Sequence, residues 1–391
     1  MPEIFRAARV APMTPGRPLL EDGAVVCDGD TSGVARAILA VGPYAELCRE
    51  FSGPVRDLGD VVLAPAVFNS HTHLEMAHLA GKVTSGQGFL TWVRSLTSQP
   101  LYAPDEDRIQ LELARLEARG TGFVADISTR NAPAMAALLA RSGQFHASFQ
   151  EAIGTNVPED TSSLIHQLPD SACASGRGTL SAAGHALYST SGSLMRAAKQ
   201  AASARNLPFS LHLAEHADED AILLTGKSAF LDLLRERGYL LEYDAPGKRP
   251  VPQAAALGLL DERTLAVHCV TVTDEDMDLL AQSRASVCLC PRSNEYIGVG
   301  QAPVGGLLAR GVNLCLGTDG LCSVADMDVY GELAWLKSHA LPELSLVDGL
   351  ALITSNPAGF FGLEQHLGSL APGRQARFSV VPPELAAMFL R

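Results

Sequence analysis

The stretch FNSHTHLEMAHLAG, residues 68 to 81, carries His71, His73 and His78 directly after the apolar run VVLAPAVF. Side chains two apart on an extended strand share a face, so His71 and His73 can aim both imidazoles in one direction, as a metal requires. Further along, HLAE places Glu215 three residues after His212, VHC carries His268, and LGTDG sets Asp319 among glycines that give the backbone room at a tight turn. His71, His73, His212 and Asp319 together offer three imidazoles and one carboxylate, a donor set for a single divalent cation, Zn²⁺ or alternatively Fe²⁺. Such a cation brings the pKa of a water from about 15.7 toward 7. Asp319 can then take the water's proton, His268 can orient the attack, and Glu215 can carry a proton to a ring nitrogen and on to the leaving group. The chemistry implied is hydrolysis at an sp² carbon.

Each of these residues has a blander use, since a lone histidine at a strand end is commonly a hydrogen-bonded core residue. The ordered set is what points to a site. Met76 reads as a pocket wall and His78 as a structural residue or a support for the ligands. No lysine stands between Lys82 and Lys199. The carboxylated lysine that bridges two ions at a middle strand of some metal barrels therefore has no candidate, and a mononuclear site is expected.

Elements must exist to position these groups. Residues 1 to about 62 alternate β-like runs (GAVVCDG, ARAILAVG, VRDLGDVVLAP) with Gly, Pro and Asp turns. From there, short apolar runs alternate with amphipathic stretches, the pattern of a parallel sheet with crossover helices. The predicted strands are VVLAPAVFNSH, TGFVADIS, FHASFQEA, TLSAAGHALY, LPFSLHLAE, RTLAVHCV, ASVCLCP and VNLCLGTD, with helices predicted in DEDRIQLELARLEARG, GSLMRAAKQAASARN and DEDMDLLAQSR. Eight strands with intervening helices give an α/β fold, a (β/α)₈ barrel of the TIM type. The chemically potent residues sit late in their strands, as a barrel with its site at the C-terminal strand ends demands: His71 and His73 on the first, Glu151 on the third, His185 on the fourth, His212 and Glu215 on the fifth, His268 on the sixth and Asp319 on the eighth.

The bulk properties exclude other classes. A formal net charge of −13, with 43 acidic and 30 basic side chains, argues against nucleic acid as a partner. The N-terminus lacks the apolar core of a signal peptide and no run reaches the length of a membrane span, so a cytoplasmic enzyme acting on a small molecule, with no membrane partner and compatible with a homodimer, is expected. The eight cysteines show no CxxC pair and read as reduced core residues, with Cys288 and Cys290 on one face of a strand.

Taken in order, HTH, HLAE, VHC, PRSN, LGTDG and the closing stretch TSNPAGFFGLEQHLGSLAPGRQARFSVV resemble the amidohydrolase superfamily, in its branch of mononuclear aminohydrolases that includes adenosine-type, S-adenosylhomocysteine, guanine and cytosine deaminases and triazine chlorohydrolases. The resemblance implies a small β-sandwich domain built from residues 1–62 and 363–391 beside a barrel of residues 63–362. It implies the same ligands and proton carriers as the residues themselves suggest, a substrate contact at His185 in HALYS, and another in CPRSN at Asn294. The glutamate that precedes a tryptophan in the S-adenosylhomocysteine and methylthioadenosine deaminases is replaced here by Thr91 in GFLTWV. The combination HTHLE, GFLTWV and CPRSN is similar to the aminodeoxyfutalosine deaminases of the alternative menaquinone pathway, whose substrate carries a carboxylate on its 5′ side. Arg130 and Arg292, after the second and seventh strands, are the candidates to meet it. Trp92 reads either as a stacking platform for an aromatic group or as packing against the barrel. The resemblance thus implies hydrolytic deamination of an adenine nucleoside, 6-amino to 6-oxo, with aminodeoxyfutalosine the first expectation; 5′-methylthioadenosine or S-adenosylhomocysteine deamination, another heterocycle deamination, chlorohydrolase chemistry and a non-catalytic binding barrel are the alternatives.

Overall fold

A computed structural model describes residues 1–29, 36–154, 177–237 and 244–390. The N-terminal strands are β1 (Glu3–Val10), β2 (Leu20–Cys27), β3 (Ile38–Pro43), β4 (Val55–Asp57) and β5 (Val62–Pro65); with β14 (Phe378–Val380) they form a six-stranded sheet in the order β14-β5-β1-β2-β3, with β4 beside β1. Strand alternation explains why so much of β1 and β2 is apolar. Phe5, Ala7, Val25 and Cys27 pack on one face with Leu370, while Ile4, Ala24 and Val26 pack on the other with Leu47.

The second sheet holds eight strands in sequence order: β6 (Val67–Thr72), β7 (Thr121–Ser128), β8 (Phe145–Ala152), β9 (Gly178–Gly184), β10 (Phe209–Leu213), β11 (Thr264–His268), β12 (Ser286–Leu289) and β13 (Leu314–Leu316). Neighbours pair in parallel from β8 through β13. The ring is joined past β13, where the N–H groups of Thr318 and Asp319 both donate to the His71 carbonyl, at 3.1 and 3.0 Å. This is the expected (β/α)₈ barrel with a separate sheet of terminal strands. Helices at Glu106–Ala118, Gly192–Ala204 and Asp274–Ser283 fall where the amphipathic stretches predict them. The second is capped by the Ser191 hydroxyl and the third by a reciprocal Thr273–Asp276 capping box.

Three details differ from the sequence reading. VVLAPAVFNSH is two strands rather than one: β5 joins the six-stranded sheet and β6 the barrel, with the division at Pro65, which has no N–H to continue a ladder. Cys290 does not share a strand with Cys288, because Pro291 opens the helix Pro291–Ile297 and the strand ends at Leu289. Cys48 is exposed rather than in the core, one position past the buried Leu47 of the helix Tyr44–Glu50. The other cysteines of the described residues are free and buried, and Cys173 lies outside those residues.

By contacts the chain forms two compact units, one of Met1–Asn69, Arg115–Phe123 and Asp328–Arg391, the other of Ser70–Ala114 and Val124–Met327. Every candidate site residue belongs to the second. No helix among the described residues is long and apolar enough to cross a membrane.

In the first unit, Gly120 has φ +82°, and a Cβ there would lie 2.4 Å from Ser379 Cβ and 2.8 Å from its Cα. Gly120→Ala is therefore expected to lower unfolding stability by about 2 kcal/mol or more, from left-handed strain and overpacking together. Urea denaturation measures this; an unchanged midpoint would contradict the packing described.

Candidate active site

The strand ends bring the predicted ligands to one point. His212 Nε2 lies 3.3 Å from His71 Nε2 and 3.4 Å from His73 Nε2, and Asp319 Oδ1 lies 3.7 Å from His71 Nε2 and 3.5 Å from His73 Nε2. Four donors each about 2.0–2.1 Å from one tetrahedral centre would be about 3.4 Å apart, so the spacing fits a cation of zinc size. All four residues are buried. Burial, then the neighbouring imidazoles, holds His71 and His212 well below the ordinary histidine range, which keeps their nitrogens neutral and able to coordinate. Burial pushes Asp319 upward, yet His73 and the hydrogen bond from Ser293 hold the carboxylate below its ordinary value.

Asp319 is divided in its duties. Its Oδ2 accepts hydrogen bonds from the hydroxyls of Ser293 at 2.7 Å and Ser323 at 2.8 Å, which turns Oδ1 toward the histidines. Close approach explains the glycines of LGTDG. A Cβ on Gly317 would lie 2.7 Å from both Cβ and N of His71 and 2.9 Å from Cys288 Sγ, and one on Gly320 would lie 3.0 Å from His73 Cβ. The positive φ falls instead on Asp319 itself, at 62°. Ala214, His268 and Cys269 are likewise left-handed, at 52°, 73° and 50°. Conformations of this kind cost about 1–3 kcal/mol each and persist where surrounding bonds enforce them. Here Cys269 N–H donates to Leu213 O, and the Val270 and Thr271 N–H groups donate to Ala214 O.

His268 and Glu215 face one another beside this centre. His268 Nδ1 lies 2.9 Å from Asn294 Oδ1, which places the proton on Nδ1 and leaves the Nε2 lone pair 3.7 Å from Glu215 Oε1. Burial raises the Glu215 carboxyl. Its backbone is held by Glu219, whose Oε2 accepts the Glu215 N–H at 2.9 Å.

These groups open on a cavity of about 230 Å³. His73, His212, Glu215, His268 and Asp319 form its polar end, with His185 and Glu151 beside them, while Met76, Trp92, Leu96, Leu101, Tyr102 and Phe230 are among its apolar walls. His185 Nδ1 bonds the Ser189 hydroxyl, and burial depresses its pKa to about 3. Trp92 lines the cavity while its Nε1–H donates to Cys322 O at 2.9 Å, so it both packs and borders the cavity. Asn294 reaches His268 rather than the cavity lining. Arg292 pairs with Asp326 at 2.9 Å and Arg130 lies over the Tyr102 ring at 4.1 Å; neither guanidinium is among the described cavity walls. His78 sits apart, 2.8 Å from Pro100 O.

A sequence model of the amidohydrolase family matches residues 62–390. The chain belongs to the amidohydrolase family. A 5-methylthioadenosine/S-adenosylhomocysteine deaminase of Nitratidesulfovibrio vulgaris is 29% identical over 345 residues, 84% of this chain and 71% of that protein. Among solved structures, Helicobacter pylori aminofutalosine deaminase in complex with methylthio-coformycin matches 99% of this chain and 95% of its own with a TM-score of 0.83 at 22% identity. A Xanthomonas campestris adenosine deaminase with bound zinc matches 99% and 88% with a TM-score of 0.78 at 24% identity. These likenesses establish the amidohydrolase fold, and the chain is a hydrolase of that family.

Several residues of the site carry no signal of their own in the sequence. Ser293 and Ser323 are ordinary until Asp319 is placed, and Glu75 and Thr129 until the loops after β6 and β7 meet: Thr129 N–H donates to Glu75 Oε1 at 2.6 Å. The available clue for Ser293 and Asn294 is their position directly after an apolar strand in CPRSN.

Gly317→Ala is expected to displace the His71 backbone and to lower both the melting temperature and the metal content of purified protein. Differential scanning calorimetry with elemental analysis reads both, and a variant with unaltered metal content would contradict the close packing of Gly317 on His71.

Proposed function

We propose that this amidohydrolase is a metal-dependent hydrolytic deaminase of an adenine nucleoside, replacing the 6-amino group by a 6-oxo group with release of ammonia. The observation that carries the reading is the convergence of His71, His73, His212 and Asp319 beside the facing pair Glu215 and His268. In this reading the four residues hold one Zn²⁺, with Fe²⁺ as the alternative occupant of the same donors. When bound, the cation supplies a water acidic enough to be deprotonated near neutral pH.

The chain's own groups do the rest. Asp319 Oδ1, ionised under the influence of its imidazole neighbours, receives a proton from the attacking water. The unprotonated Nε2 of His268 accepts a hydrogen from that water and fixes its direction, because Asn294 holds the opposite nitrogen protonated. Glu215, whose carboxyl burial raises, delivers a proton to the ring nitrogen adjoining the reacting carbon, then carries the proton of the newly formed hydroxyl to the departing amine. The proton taken by Asp319 then passes back to Glu215, so that one water is consumed, one ammonia leaves and both carboxyl groups return to their starting states.

The cavity bears on the 5′ substituent. No lysine or arginine is among its described lining residues, and residues 155–176 contain neither. Much of its lining is apolar, with aromatic rings from Phe89, Trp92, Tyr102, Tyr188 and Phe230. An uncharged 5′ group suits such walls, so we propose 5′-methylthioadenosine ahead of substrates carrying a 5′ carboxylate. Aminodeoxyfutalosine, and with it a place in menaquinone synthesis, is the second reading, favoured by the aromatic walls that could receive its phenyl ring. The relatives named as methylthioadenosine/S-adenosylhomocysteine deaminases support the same reaction class.

Ammonia release by the metal-replete protein from 5′-methylthioadenosine, aminodeoxyfutalosine, S-adenosylhomocysteine, adenosine, guanine and cytosine tests the proposal. The highest kcat/KM is expected for methylthioadenosine; a preference for aminodeoxyfutalosine would select the second reading, and activity on guanine or cytosine alone would overturn the adenine assignment. Glu215→Gln is expected to keep fold and metal while lowering kcat by about 10²–10⁴-fold. Near-normal turnover in that variant would remove Glu215 from the mechanism.

A further inference from the structure

Glu151 ends the third barrel strand, buried, and the proton transfers derived above do not use it. One of its oxygens is fully engaged. Oε2 accepts the Thr129 hydroxyl at 2.7 Å, and the Thr129 N–H is itself held by Glu75 Oε1 at 2.6 Å. Glu75 Oε2 accepts from Asn131 Nδ2 at 3.1 Å, so the turn that follows His73 is tied through Thr129 to the carboxylate of Glu151. The other oxygen is directed at a ligand. Glu151 Oε1 lies 3.7 Å from His212 Nδ1, and both atoms are buried without a hydrogen-bond partner among the described residues.

Coordination through Nε2 requires the other ring nitrogen of a neutral imidazole to carry the proton, and a buried N–H needs an acceptor. We propose that Glu151 is the positioning residue for His212: its Oε1 accepts the Nδ1–H, fixing the tautomer that presents Nε2 toward His71, His73 and Asp319, with Thr129 and Glu75 holding the carboxylate in place. The proposal rests on the reading of His212 as a metal ligand. Two other uses of Glu151 are physically available and give different results. Lining the cavity, it could contact substrate; with His185 and His212, whose donor atoms lie within 4.8 Å of one another, it could bind a second ion.

The test uses the full-length chain and zinc, with affinity read by competition against a chromophoric chelator at fixed pH. Stoichiometry is read by elemental analysis, and coordination by the visible spectrum of the cobalt-substituted protein. Glu151→Ala is expected to weaken zinc binding about 10–100-fold and to alter the cobalt spectrum. Glu151→Gln, which keeps a carbonyl acceptor, should recover much of that affinity, and Thr129→Val should give a smaller loss than Glu151→Ala. In zinc-saturated enzyme the KM of each variant should stay near the wild-type value. Unchanged zinc affinity with a raised KM would overturn the proposal in favour of a substrate contact, and two zinc ions per wild-type chain falling to one in Glu151→Ala would overturn it in favour of a second metal site. A wild-type chain that binds no zinc would remove the ligand reading of His212 and the role of Glu151 with it. One zinc per chain with equal affinity in all three variants would remove only the role of Glu151.

Discussion

Three imidazoles converging in a buried barrel end, with the His71 and His73 nitrogens 3.3 and 3.4 Å from that of His212, are the constraint on which the remaining structure depends. Lone pairs at that spacing repel unless a cation lies among them, and burial weakens the screening of that repulsion. The surroundings are arranged to keep those pairs available. Burial and mutual influence disfavour protonation of His71 and His212, while Asp319 stays ionised beside them. The backbone of His71 closes the barrel through Thr318 and Asp319, so the bonds that shut the ring also set the ligand spacing. Fold and site are here one arrangement: Gly317 lacks a side chain because His71 passes against it.

Much of this was legible in the sequence because the barrel places chemistry at strand ends and the chain advertises those ends. The HxH pair, HLAE, VHC and LGTDG each follow an apolar run, and seven of the eight predicted runs hold one barrel strand each. The exception, VVLAPAVFNSH, failed for a physical reason. Hydrophobicity marks burial but does not say in which sheet, and only the missing N–H of Pro65 hints that the run changes partners. Helices with strong caps, such as Asp274–Ser283, were equally plain.

What the sequence did not reveal were residues whose purpose is set by a partner distant along the chain. Ser293 and Ser323 matter because they occupy one oxygen of Asp319, and Asn294 because it fixes the tautomer of His268. Arg130 and Arg292 illustrate the reverse. Their positions after strands two and seven made them candidates for a substrate carboxylate, but a ring and a carboxylate within the protein engage them. A strand-end position places a side chain near the cavity; its local partners decide whether it faces in.

In the proposed reaction the apolar walls of the cavity and the polar end divide the work, one receiving the body of a substrate and the other acting on its reacting carbon. The central claim is that His71, His73, His212 and Asp319 hold a single ion. Metal content of the purified chain, with X-ray absorption at the metal edge, tests it most directly. The account predicts one ion per chain bound by three imidazoles and a carboxylate oxygen. Two ions per chain, or a shell lacking imidazole, would contradict it.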